Sequence, residues 1–131
     1  MRCRAQGFAA TGDLRSAIEL YEQLLRRRPK DTPLLRTLAT LCLQCATTEC
    51  LEKAKTYWRL LENRALPGSP DWMQSRYHVA ECCFKLRQFE LCRKLLSVAR
   101  LLYGLPKDKT LRRKFQQLET AAEAATHPPN R

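Results

Sequence analysis

Small residues recur along this chain at a fixed interval. Ala17, Ala54 and Cys92 stand 37 and 38 residues apart, and each is followed four positions later by a large side chain, Tyr21, Trp58 and Leu96. A second set runs in phase with the first. Ala5, Ala39 and Ala80 are followed three positions on by Phe8, Cys42 and Cys83. Positions three and four apart share one face of a helix, and a small residue there lets a second helix approach closely. A fixed period of this length is the signature of a stacked helical repeat, in which each pair of helices buries its apolar face against the next.

The segments between these positions read as helices. In TGDLRSAIELYEQLLRRRPKD, Leu14, Ala17, Ile18, Tyr21, Leu24 and Leu25 form one apolar stripe, with Gly12 as a tight turn and Asp13 as a cap before it and Pro29 after it. A second helix starts at DTPLL, capped by Thr32 or Asp31 with Pro33 in the first helical position. A third runs from Glu49 to Arg64 with Leu51, Ala54, Trp58 and Leu61 on one face. Ser69-Pro70 opens a fourth, expected over Trp72–Leu86, and a fifth spans Phe89–Tyr103. The last, from Lys109 to Ala124, carries Leu111, Phe115, Leu118 and Ala122. Four glycines and few valines leave little material for strands, whereas Leu, Ala, Arg, Lys, Glu and Gln are good helix formers. The fold class expected is all-α without a sheet.

At these residues the chain resembles tetratricopeptide repeats, a helix–turn–helix unit of about 34 residues with small side chains where helices cross and a proline at its end. Ala5, Phe8, Gly12, Leu14, Ala17, Tyr21 and Pro29 carry the resemblance in the first repeat. Val79, Ala80, Cys83, Phe89, Cys92, Leu96 and Ala99 carry it in the third, while the middle repeat has a longer turn at QCATTECLEKA. The resemblance implies a right-handed helical-hairpin solenoid of about seven helices. Its repeats would occupy 1–31, 32–68 and 69–104, a capping helix 109–124 and a disordered tail 126–131. Met1 falls inside the first repeat and Arg4 stands where a leucine is expected, which leaves further upstream repeats, or self-association through the N-terminal edge, as alternatives.

Seven cysteines cannot all pair within one chain, and most lie in helical stretches, as free thiols of a reducing compartment would. Cys42, Cys83 and Cys92 fall on inward repeat positions, where cysteine acts as a small hydrophobe. The rival reading takes Cys42-Leu43-Gln44-Cys45 with Cys82 and Cys83 as a zinc or redox site, but adjacent Cys82 and Cys83 point about 100° apart on a helix. No metal and no cofactor is expected. No Ser/His/Asp set, carboxylate pair or phosphate loop is present, so a catalyst is not expected either.

The net charge of +11 favours anionic partners. Lys107, Lys109, Arg112, Arg113 and Lys114 cluster at the start of the last helix, where the helix dipole disfavours cations. The resemblance implies a concave groove formed by the first helix of each repeat. By register it comprises Arg2, Gln6, Arg36, Thr40, Gln44, Gln74, Tyr77, His78, Glu81 and Lys85. Such a lining suits a peptide or helix of a partner protein, acidic in character. Nucleic-acid binding through the basic surface, or a structural segment of a larger repeat scaffold, are the alternatives. The N-terminus lacks an apolar signal region and no apolar run is long enough to insert in a membrane, so a cytoplasmic location is expected.

Overall fold

The computed structural model of the chain describes residues 12–45 and 47–126. They form six helices and, among the described residues, no strand: α1 (Gly12–Arg27), α2 (Thr32–Cys45), α3 (Thr48–Arg64), α4 (Pro70–Lys85), α5 (Phe89–Tyr103) and α6 (Lys109–Thr126). No helix among them is long and apolar enough to cross a membrane. The helix expected around Ala5 and Phe8, and residues 127–131 of the expected tail, lie outside the described residues. The chain divides into two compact units at Tyr57/Trp58, within α3.

Local chemistry sets the helix ends, and several differ slightly from the sequence expectation. Gly12 is already helical, so it is not a turn ahead of α1 and Asp13 lies inside the first turn. Asp31, not Thr32, caps α2: its carboxylate accepts the Leu34 N–H at 3.1 Å, and Pro33 therefore sits second in the helix. Thr47 caps α3 one residue earlier than expected, accepting the Cys50 N–H at 3.2 Å. Ser69 accepts the Trp72 N–H at 3.2 Å, so α4 begins at Pro70 and ends at Lys85. Thr126 still belongs to α6, two residues past the expected end.

In the first unit α1 packs on α2. Leu14, Ile18, Leu35, Leu38, Ala39, Cys42, Cys50, Leu51 and Ala54 are buried there. Glu22 of α1 accepts the Tyr57 hydroxyl at 2.8 Å and the Lys53 ammonium at 3.2 Å, tying the start of α3 to α1. Burial and that carboxylate both push the Tyr57 hydroxyl upward, so it stays a donor.

In the second unit α4 packs on α5, and α6 packs on both. One core joins them, with Trp72, Met73, Ala80 and Cys83 from α4, Cys92, Leu96 and Ala99 from α5, and Phe115, Leu118 and Ala122 from α6. The apolar stripe read for the last helix is thus its buried face. Most residues singled out by the sequence period share this fate: Ala39, Ala80, Cys42, Cys83, Ala54 and Cys92 are fully buried, whereas Ala17 and Tyr21 are half-exposed. Ala80→Leu would overpack the α4 crossing, with an expected loss of about 1–3 kcal/mol. Thermal unfolding checks this, and an unchanged midpoint would show that the crossing has room for a leucine.

The connection from α4 to α5 takes three residues, Leu86–Gln88. Arg87 adopts a positive φ of 67°, and the Gln88 and Arg87 amides reach back to the Cys83 and Phe84 carbonyls at 2.8 and 2.9 Å. This is a Schellman turn with arginine in the place that usually holds glycine. The Arg87 guanidinium lies 5.5 Å from the Phe89 ring centroid, and Phe84 meets Phe89 edge-on at 5.0 Å, which offsets part of the left-handed backbone cost.

A largely buried ion pair fastens α4 to its neighbours. Arg76 donates from Nε and Nη2 to the two Glu62 carboxylate oxygens at 2.9 and 3.0 Å, and from Nη1 to the Leu95 carbonyl at 2.9 Å. Its guanidinium also lies 4.5 Å from the Trp72 ring centroid. The two side chains are only 12% and 13% exposed. One cation thus joins the end of α3, the face of α4 and the backbone of α5.

Candidate functional site

The α4 face presents Gln74, Tyr77 and His78 at spacings of three and four, so they stand together. With Pro70, and with Asp108, Thr110, Leu111 and Lys114 from the start of α6, they line an open cleft of about 380 Å³. The groove expectation and the basic-patch expectation therefore meet at one place, through Lys114.

Each side chain is held by a named contact. The His78 ring stacks on Trp58, with centroids 4.3 Å apart and planes 29° from parallel. Its Nδ1 lies 2.9 Å from Glu81 Oε1, and Glu81 Oε2 lies 3.6 Å from Lys85 Nζ. Burial alone would raise the Glu81 carboxyl, but the His78 hydrogen bond and charge, with Lys85, outweigh it and hold it below the ordinary carboxylate range. Burial, together with the nearby Glu81 and Cys92, pushes the Tyr77 hydroxyl up to about 12, so it remains a hydrogen-bond donor. Glu81 and Lys85 do not line the cleft; they orient His78, which does.

The other expected groove residues stand elsewhere. Arg36, Thr40 and Gln44 form an exposed line on α2, where the Thr40 hydroxyl donates to the Arg36 carbonyl at 2.9 Å. They belong to the first unit. Arg2 and Gln6 lie outside the described residues.

At the start of α6 the dipole conflict has a local answer. Asp108 caps the helix, its carboxylate accepting the Leu111 N–H at 2.8 Å. Lys107, Lys109, Arg113 and Lys114 are exposed and Arg112 is half-buried. Among the described residues no ion pair engages any of these five cations. Arg93 and Arg100 differ: Arg93 pairs with Glu90, and Arg100 meets Glu119 of α6 at 2.7 Å.

A second, mostly apolar cleft of about 210 Å³ adjoins the first and shares Pro70, Asp108 and Leu111 with it. Met73, Tyr103, Leu105 and Pro106 form its walls, with Lys107 at its edge and Gly68 beneath the Tyr103 ring. Gly68 has φ +82°, and a Cβ there would stand 2.7 Å from Tyr103 Cδ1, so glycine is required both for the turn and for the ring's approach. Sequence reasoning missed this cleft. Its signals were the Pro67-Gly68 turn and a tyrosine placed just before Gly104.

No family model matches the chain, and no curated protein or solved structure matches it either. Function must therefore be argued from the chain's own chemistry. Cys42, Cys82, Cys83 and Cys92 are fully buried, and burial carries the Cys42 and Cys92 thiols up to about 12, as expected of packing groups. Among the described residues no group of three His, Cys, Asp or Glu side chains is arranged to hold a metal ion.

Proposed function

We propose that the chain is a non-catalytic interaction module of the tetratricopeptide-repeat kind, a right-handed solenoid segment that binds an extended stretch of a partner protein in a reducing compartment such as the cytoplasm. The observation that carries this reading is the pair of adjoining clefts along α4 and α6. One is apolar and sized for a single large side chain, and the other is polar with an unpaired ammonium at its rim. An extended peptide would seat an apolar side chain between Met73 and Tyr103. Its carboxylates would then face Lys114, with Gln74 and the Tyr77 hydroxyl offering hydrogen bonds to its backbone. Rigid helices form the walls beforehand, so little ordering entropy opposes binding.

Selection of short peptides from a random display library, followed by fluorescence titration, tests the proposal. Acidic peptides with one large apolar residue are expected, and Lys114→Glu should weaken them roughly tenfold, about 1.4 kcal/mol. Selection of peptides without acidic residues, or equal affinity for the variant, would overturn the site. Binding of RNA with a steep salt slope, lost on neutralising Arg112, Arg113 and Lys114 together, would transfer the function to the basic surface.

A further inference from the structure

Four segments meet at one end of the second unit: the turn at 65–69, the start of α4, the end of α5 and the link at 104–108 that leads into α6. Short contacts hold them together. The Ser69 N–H donates to the Leu66 carbonyl at 2.9 Å, closing the turn through Pro67 and the positive-φ Gly68. Gly68 lies beneath the Tyr103 ring, and Tyr103 meets Trp72 of α4 edge-on at 5.0 Å. Ala65 packs against the common core.

This well-fastened end carries the most exposed large apolar side chains among the described residues. Leu101, Leu66 and Leu102 are 83%, 75% and 61% exposed, whereas Leu91 and Val98, further back along α5, are only 38% and 46% exposed. A single exposed leucine needs no explanation, but three gathered on one rigid rim do. They line neither of the two adjoining clefts. Cations stand beside them: Lys107, Lys109 and Arg113 are exposed where the link enters α6. Two carboxylates share this end, Asp71 in the first turn of α4 and Asp108, which is already committed to capping α6.

We propose that this end docks on an anionic bilayer surface. Leu66, Leu101 and Leu102 enter the headgroup layer, and Lys107, Lys109 and Arg113 meet the lipid phosphates and carboxylates. Charge complementarity selects this occupant, since each lysine near an anionic leaflet strengthens binding roughly fivefold. The leucines stand on a turn and a helix end rather than in a preformed pocket, an arrangement that suits a fluid apolar layer. No described helix is long and apolar enough to cross a membrane, so the contact is interfacial. The inference does not rest on peptide binding in the clefts.

Flotation of the full chain with vesicles of phosphatidylcholine, with and without phosphatidylserine, tests the proposal. Capture by the phosphatidylserine vesicles alone is expected. Leu101→Ser combined with Leu102→Ser should weaken it at least about tenfold, with an unchanged melting temperature because both side chains already face solvent. Lys107→Glu with Lys109→Glu should also weaken it at least about tenfold. A wild-type chain that fails to float, or floats equally with both vesicles, would overturn the proposal. Undiminished capture of the leucine variant would make this end a general polyanion surface, open to RNA as well as lipid, and would overturn it too. So would self-association without lipid that the leucine variant abolishes, which would assign the rim to a second copy of the chain.

Discussion

Phe115→Ala is expected to destabilise the second unit by about 3–5 kcal/mol, the range for deleting a large ring from a packed core. The Phe115 side chain is completely buried. It enters from α6 a core whose other members come from α4 and α5, so its loss empties the place where three helices meet. Small crossings at Ala80, Ala99 and Ala122 hold the helix backbones close, so the void closes only in part. At about 4–8 °C per kcal/mol for a unit of this size, the melting temperature should fall by roughly 12–40 °C. Urea unfolding followed by tryptophan fluorescence reads the effect, since Trp72 belongs to the same core. A loss under about 1 kcal/mol would mean that α6 is not docked as described. Peptide binding should weaken in step, because α6 supplies one wall of both clefts.

Glu62→Ala comes next, at about 3 kcal/mol, the lower end of the range for buried pairs, because it leaves the largely buried Arg76 guanidinium without a counter-charge. The Leu95 carbonyl and the Trp72 face would remain as partners for Arg76, but neither carries a full negative charge. The double replacement Glu62→Leu with Arg76→Met should recover most of the loss, since apolar groups of similar size avoid desolvating two ions. A double-mutant cycle by urea unfolding measures the coupling. Additive losses would show that the two side chains act separately and that the fork geometry contributes nothing.

These two residues also show what a sequence reveals. Phe115 was legible, because Leu111, Phe115, Leu118 and Ala122 repeat at helical spacing and an apolar stripe must be covered. Arg76 was not. Its partner lies 14 positions away on another helix, and charged residues at that separation meet only through tertiary packing. The cleft divides in the same way. Gln74, Tyr77 and His78 follow from the register of one helix, whereas Tyr103 and Leu105 enter through a turn whose path no periodicity encodes. The small-hydrophobe reading was made for Cys42, Cys83 and Cys92, which are fully buried. The contact of Cys45 with the Thr47 hydroxyl lies beyond the helix end, where no periodicity reaches.

The three-residue link through Arg87 bears on the order of folding. Closing so short a loop costs little chain entropy, and α5 is joined to α6 by a link of five residues, Gly104–Asp108. The contacts among α4, α5 and α6 are therefore made mostly between chain neighbours, a topology whose search is brief. Refolding of the second unit should fall in the microsecond-to-millisecond range of helical proteins with low contact order. The left-handed arginine makes that speed dependent on one backbone angle: Arg87→Gly, which adopts it without strain, should accelerate closure of the hairpin if the turn is formed at the barrier.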